Sequence, residues 1–114
     1  MKHELVIELA PFNVASGVTR EALLEASERL ERDFLSKADG YLGRVLVQKD
    51  SSTWADIVFW RSGEHAAKAM QAAASSEACR AYFECMAAED HDEPAKGVTL
   101  YRSLKTYGAM ALGA

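Results

Sequence analysis

The chain has 114 residues and a mass of 12.5 kDa, which suffices for one domain but not for two that each bury a core. Its net charge of −4 disfavours a nucleic-acid or anionic-membrane surface, because such surfaces need clustered Lys and Arg. Although 49% of the residues are hydrophobic, twenty of the 114 are alanine, whose small side chain buries little surface. We therefore expect a homodimer that buries further apolar surface.

The N-terminal stretch Met1–Phe12 is interrupted by Glu4 and Glu8, and therefore does not resemble the apolar core of a signal peptide. No run in the sequence approaches the roughly 18 apolar residues that a membrane span requires. These features predict a cytoplasmic protein without a membrane partner. Cys79 and Cys85 would point in different directions on one helix, so we expect structural thiols and no metal site.

The first half of the chain predicts a strand followed by a helix. Residues Glu4–Phe12 alternate between apolar and other side chains, which is typical of a strand. After a turn at Asn13–Gly17, Thr19 is placed to cap a helix that we expect over Arg20–Ala38. Gly40, which is free to adopt a left-handed conformation, ends this segment.

The middle of the chain predicts a hairpin and a second helix. Tyr41–Lys49 and Thr53–Arg61 are rich in aromatic and β-branched residues and are separated by three polar residues. Ser62 can cap the helix that follows, and the pair Ser75–Ser76 is expected to break it.

The C-terminal part predicts a loop, a strand and a tail. The acidic run around His91 indicates a solvated loop rather than a site for a divalent ion. Residues Val98–Lys105 restore the strand pattern, and residues 108–114 form a weakly structured tail. The order βαββαβ within residues 1–107 predicts a single α+β domain of the ferredoxin-like type, with both helices on one face of a four-stranded antiparallel sheet.

Alternation along the strands divides the sheet into two faces. We expect the consistently apolar set to face the helices: Leu5, Ile7, Leu9, Val45, Val47, Ala55, Ile57 and Phe59. The opposite face would then carry both tryptophans and several charges, and a second copy would cover it. For the last strand either Tyr101 or Leu100 could point to that uncovered face.

Two stretches are similar to a known superfamily, the run Asp39-Gly40-Tyr41-Leu42-Gly43-Arg44 and the run from Trp54 to Ser62 that precedes an Ala-rich helix. On these residues and on its element order over residues 4–105, the chain resembles the dimeric α+β barrels, particularly antibiotic biosynthesis monooxygenase domains. The resemblance implies two sheets packed face to face in a homodimer. It also implies a pocket between each sheet and its helices or within the barrel.

The resemblance also bears on chemistry, because this superfamily includes cofactor-independent oxygenases of aromatic polyketides, haem-degrading enzymes and isomerases. The quinone-forming oxygenases pair an Asn with a Trp four residues later on the third strand, where this chain has Asp56 and Trp60. The haem-degrading members use a Trp and a His where this chain has Ala69 and Phe83. We therefore expect neither haem degradation nor any cofactor.

Three residues are candidates for catalysis of a cofactor-independent oxygenation. Asp56 or His65 could remove a proton from the substrate, which then reacts with oxygen as a carbanion or phenolate. Arg44 could stabilise the negative charge.

Four further residues are candidates for binding an apolar or aromatic small molecule. Trp54 and Trp60 could stack against an aromatic ring, and Glu8 and Gln48 lie on the same predicted face. The alternative is a non-catalytic homodimer in which Arg44 is an interface ion pair and the tryptophans are dimer core. A cavity of about 300 Å³ with access to Asp56 would favour the first interpretation.

Overall fold

A four-stranded antiparallel sheet forms the centre of the chain in a computed structural model that describes residues 5–87 and 97–108. In chain order the elements are β1 (Val6–Asn13), α1 (Arg20–Asp33), β2 (Tyr41–Gln48), β3 (Thr53–Trp60), α2 (Gly63–Ala73), α3 (Glu77–Phe83) and β4 (Thr99–Arg102). The strand order across the sheet is β2-β3-β1-β4. This arrangement confirms the predicted α+β, ferredoxin-like fold, with the second helix divided in two.

Hydroxyl side chains begin α1, α2 and α3. The side-chain oxygens of Thr19, Ser62 and Ser76 accept hydrogen bonds from the backbone N–H three residues later, at 3.0, 3.3 and 3.1 Å. Such caps satisfy N–H groups that have no partner within the helix. The caps predicted at Thr19 and Ser62 are confirmed, and the predicted break leaves Ser76 to begin α3.

The end of α1 differs from its prediction. The helix stops at Asp33, and a short 3₁₀ turn over Leu35–Lys37 follows, whereas the sequence pattern predicted a helix to Ala38. The turn leads into Gly40, whose φ of +81° is the left-handed conformation expected for this glycine. The 3₁₀ turn is tighter than an α-helix, which allows the chain to reverse into β2 within a few residues.

The predicted assignment of the two sheet faces is wrong. Trp54 and Trp60 are only 5% and 2% exposed and pack against the helices, whereas Val45 and Val47 are 48% and 38% exposed. Of the set predicted to face the helices, only Leu5 is fully buried. Alternation separates two faces, but it does not say which one meets the helices when both carry apolar residues.

The predicted face assignment is wrong because of its polar side chains: a charged residue on a strand normally indicates the solvent side of a sheet. Glu8, Arg44 and Asp56 all lie on the helix side, where each has a hydrogen-bond partner. Burial of a charge is tolerable when it is paired in this way. The two tryptophans also bury more surface than the aliphatic residues on the other face.

The other face of the sheet, which we call the open face, is mainly apolar, and no helix within residues 5–87 and 97–108 covers it. Its apolar residues include Ile7, Leu9, Val45, Val47, Ala55, Ile57, Phe59 and Tyr101, as the strand pairing shows. Tyr101 pairs with Ile7 and therefore points to the open face, whereas Leu100 pairs with Glu8 on the helix side. The strand pairing thus decides the orientation of β4, which the sequence left undecided.

Several sequence predictions fall outside the described ranges. Residue 4, the acidic loop around His91 and residues 109–114 of the predicted tail are among them. Within residues 5–87 and 97–108, no helix is both long and apolar enough to cross a membrane. In the same ranges no three His, Cys, Asp or Glu side chains are grouped so that they could hold a metal ion. Cys79 and Cys85 are free thiols.

Candidate functional site

A cavity of about 290 Å³ lies between the helix side of the sheet and the helices. Most of its wall is apolar, and α1, α2 and α3 each contribute to it, with Leu30, Ala66, Ala69 and Phe83 among the lining residues. Four polar side chains, Glu8, Arg44, Asp56 and Tyr82, also line it. The cavity therefore belongs to a single chain and lies on the opposite side of the sheet from the open face.

Asp56 is a buried charge of this site, at 6% exposure. Its Oδ2 accepts a hydrogen bond of 2.7 Å from the Tyr82 hydroxyl, and its Oδ1 lies 3.4 Å from Nη1 of Arg44. Burial raises the pKa of the Asp56 carboxyl, while the Arg44 charge and the Tyr82 hydrogen bond oppose this shift. Burial also raises the pKa of the Tyr82 hydroxyl, and the nearby Asp56 charge raises it further. The hydroxyl therefore keeps its proton and donates the hydrogen bond.

Arg44 is held between α1 and the sheet. Its Nη2 donates to the backbone oxygen of Ser27 at 2.9 Å and to the Ser27 hydroxyl at 2.6 Å. Its Nε lies 3.9 Å from Oε1 of Glu31, and its guanidinium carbon is 5.7 Å from the centre of the Tyr82 ring. With a side chain only 8% exposed, Arg44 is fixed in place by these contacts.

Glu8 and Trp60 form a second polar pair in the cavity. The indole Nε1 of Trp60 donates a hydrogen bond of 2.9 Å to Oε1 of Glu8. Burial raises the pKa of Glu8, the Trp60 hydrogen bond lowers it, and the Asp56 charge raises it further. Trp60 itself is positioned by an edge-on contact with the Tyr41 ring, whose centre is 5.7 Å away.

Four of the seven predicted site residues meet in this cavity: Glu8, Arg44, Asp56 and Trp60. Their common location follows from register, because Glu8 and Arg44 both pair with Val58 from either side of β3. The sequence correctly predicted that these residues share one face of neighbouring strands. The prediction that this face points away from the helices is wrong.

The other three predicted residues do not line the cavity. Trp54 is buried, and its Nε1 has no hydrogen-bond partner within residues 5–87 and 97–108. Gln48 is exposed at the end of β2. His65 lies at the start of α2, where its Nδ1 is 2.7 Å from the Ser62 hydroxyl and its Nε2 is 3.6 Å from an Asp39 carboxylate oxygen.

Sequence reasoning did not identify Tyr82 and Ser27 as site residues. Tyr82 lies on the apolar stripe of α3, so its spacing predicted only a core residue. Its hydroxyl meets a carboxylate 26 positions earlier in the chain, and Ser27 meets a guanidinium 17 positions later. The available signal was indirect: a buried Asp or Arg on a strand requires donors or acceptors from the elements packed over it.

The sequence matches no family model and no curated protein. The structure does match solved ones. A protein from Bordetella bronchiseptica named as a candidate antibiotic biosynthesis monooxygenase superposes with a TM-score of 0.62, at 22% identity over 90% of this chain and 98% of that one. A conserved protein from Methanosarcina mazei gives 0.60, at 13% identity over 91% of this chain and 95% of that one.

A third match has a stated activity. SnoaB, a cofactor-independent oxygenase from Streptomyces nogalater, superposes with a TM-score of 0.52, at 12% identity over 96% of this chain and 97% of that one. At these identities the comparisons establish the architecture, and they confirm the predicted resemblance at that level. The chain has a ferredoxin-like α+β fold, and the same fold occurs in solved proteins named as candidate antibiotic biosynthesis monooxygenases.

Proposed function

We propose that the protein binds an apolar or aromatic small molecule in the cavity and oxygenates it without a cofactor. The observation that carries this proposal is an apolar cavity with a buried carboxylate, Asp56, fixed at its wall by Arg44 and Tyr82. Small-molecule sites are typically concave and apolar with a few placed polar groups. A buried carboxylate with a raised pKa in such a cleft is typical of an acid–base residue.

In the proposed reaction Asp56 accepts a proton from an activated CH₂ group of the substrate, and the substrate supplies the electrons. The resulting carbanion reacts with O₂, so that one oxygen atom remains as a carbonyl and the other leaves as water. The balance is CH₂ + O₂ → C=O + H₂O. The raised pKa of Asp56 favours proton transfer to it, and the Arg44 guanidinium holds that carboxylate at the cavity wall.

The test is oxygen consumption by the purified, chelator-treated protein with 2-indanone and 2-tetralone, two-ring ketones that both contain an activated CH₂ group. With ¹⁸O₂, one labelled atom should enter the carbonyl product. Asp56→Asn keeps the side-chain shape and should lower the rate by about 100-fold. The matched control is Asp33→Asn at an exposed position of α1, and it should leave the rate unchanged.

A non-catalytic binding protein of the same fold is the second candidate function. One observation favours it: both carboxylate oxygens of Asp56 already have partners, as a purely structural ion pair would. This candidate predicts that ligands bind without oxygen consumption. It also predicts that Asp56→Asn lowers stability and leaves no rate to change.

We further propose that a second copy of the chain covers the open face. Tyr101, Val45 and Val47 are 54%, 48% and 38% exposed there. Monomeric proteins seldom expose a contiguous apolar patch of this kind, and pairing of two sheets through such faces buries it. Each cavity would then lie outside the interface, so that a ligand could enter without separation of the subunits.

Sedimentation equilibrium tests the dimer. Val45→Lys places a charge on the open face and should shift the wild-type dimer to a monomer. Leu24→Lys is the matched control, because Leu24 is an exposed aliphatic residue, at 37%, that lies on α1 and not on the open face. A monomeric wild type, or equal effects of the two variants, would show that the open face is not the interface.

A further inference from the structure

The Glu8 carboxylate differs from the other charged groups of the cavity in its partners. Within residues 5–87 and 97–108 no cation forms an ion pair with it, and its recorded hydrogen bond comes from the uncharged Trp60 indole. That bond occupies Oε1. The second carboxylate oxygen is therefore available to a molecule in the cavity.

Arg44, the cation that lines the same cavity, is already committed elsewhere. It donates to Ser27 through Nη2, and its Nη1 and Nε face Asp56 and Glu31. These contacts neutralise the guanidinium. Among the described residues, the cavity wall consequently has no unpaired positive charge for an acidic ligand, whereas Glu8 is an anion without a counter-ion there.

A carboxylate that is removed from water without a counter-ion is energetically unfavourable. Here the neighbouring Asp56 adds a second negative charge, and the pKa of Glu8 is raised accordingly. A ligand cation would relieve both effects, because it would pair with Glu8 in a site of low dielectric.

We propose that the ligand of this cavity has a protonated amine on an apolar or aromatic body, and that the ammonium group pairs with the second oxygen of the Glu8 carboxylate. The cavity volume of about 290 Å³ holds about ten non-hydrogen atoms at the roughly 30 Å³ that each water occupies in the liquid. The body is therefore the size of one or two rings. This inference rests on the proposed function, because it assumes that the cavity binds a small molecule.

The test is titration calorimetry at neutral pH with three compounds of nearly equal shape: 1-naphthylmethylamine, 1-naphthalenemethanol and 1-naphthoate. We expect the amine to bind about tenfold more tightly than the alcohol, as a charge-assisted hydrogen bond provides, and the naphthoate to bind most weakly. In Glu8→Gln, which retains an oxygen acceptor for Trp60, the amine and the alcohol should bind equally. The matched control Glu25→Gln, on the exposed side of α1, should keep the preference for the amine.

The outcomes separate the two proposals. If the alcohol binds as tightly as the amine, or the naphthoate binds more tightly, the amine preference is refuted while the binding function stands. A preference that survives in Glu8→Gln refutes the role of Glu8. If none of the three compounds binds, the proposed function of the cavity is itself refuted.

Discussion

The hydrogen bond from Tyr82 to Asp56 is predicted to be a major determinant of stability. Tyr82→Phe removes only the hydroxyl, and the affected groups are 1% and 6% exposed, so water cannot easily replace the lost donor. A hydrogen bond to a charged group contributes about 1.5–3 kcal/mol, and the loss of one partner leaves the other unsatisfied in the interior. We expect the free energy of unfolding to fall by about 2–3 kcal/mol.

The chain provides a matched control for this substitution. The Tyr41 hydroxyl donates to Oε1 of Glu31 over 2.6 Å, which is no longer than the Tyr82 bond, but the Glu31 side chain is 45% exposed. Water can solvate that carboxylate after Tyr41→Phe, so the expected loss is about 0.5–1 kcal/mol. The two variants thus compare similar bonds that differ in burial.

Urea denaturation followed by circular dichroism measures both losses. All samples need the same protein concentration, because the stability of the dimer proposed above would depend on it. For a domain of this size each kcal/mol corresponds to about 4–8 °C in Tm, so a thermal melt provides an independent check. Equal losses for Tyr82→Phe and Tyr41→Phe, or a loss below about 0.5 kcal/mol for Tyr82→Phe, would refute the burial argument.

Gly40→Ala should destabilise the protein more than Gly17→Ala in the same urea assay. Both glycines have positive φ, at +81° and +86°, and alanine there costs about 1–2 kcal/mol, but at Gly40 the added Cβ would also meet the His65 ring. Because the folded-state pKa of Glu8 is raised above its ordinary value of 4.5, its contribution to stability is greatest below that value and is lost as pH rises through the folded-state pKa. The stability gained on acidification from neutral pH should therefore be smaller in Glu8→Gln than in the wild type. Glu25→Gln is the control and should behave like the wild type. An unchanged gain in Glu8→Gln would contradict the raised pKa of Glu8.

The order of the elements could be predicted because each rests on local signals. Alternation predicted the strands, hydroxyl residues predicted the helix starts, and the pair Ser75–Ser76 predicted the break before α3. The sheet orientation is not a local property. Both faces of β3 are apolar enough to be buried, and the helices pack on the one with Trp54 and Trp60 because those side chains bury more surface.

The site was predictable only in part for the same reason. Glu8, Arg44 and Asp56 could be grouped from strand alternation, since residues on one face of neighbouring strands must be close. The donors from α1 and α3 that make burial of Asp56 tolerable could not be predicted, because they depend on how the helices lie across the sheet. His65 shows the converse error: a residue with suitable chemistry near a helix start lies outside the cavity lining and instead contacts Ser62 and Asp39.

The two tryptophans of this chain provide a pair of optical signals with different surroundings. Trp60 lines the cavity, and its Nε1 donates a hydrogen bond to the titratable Glu8 carboxylate. Trp54 is buried outside the cavity lining, and its Nε1 lacks a hydrogen-bond partner within the described residues. A molecule that enters the cavity should therefore change the emission and the indole N–H resonance of Trp60 while those of Trp54 stay constant. Occupancy can be followed with the unlabelled protein, and the second indole serves as an internal reference for unfolding or aggregation.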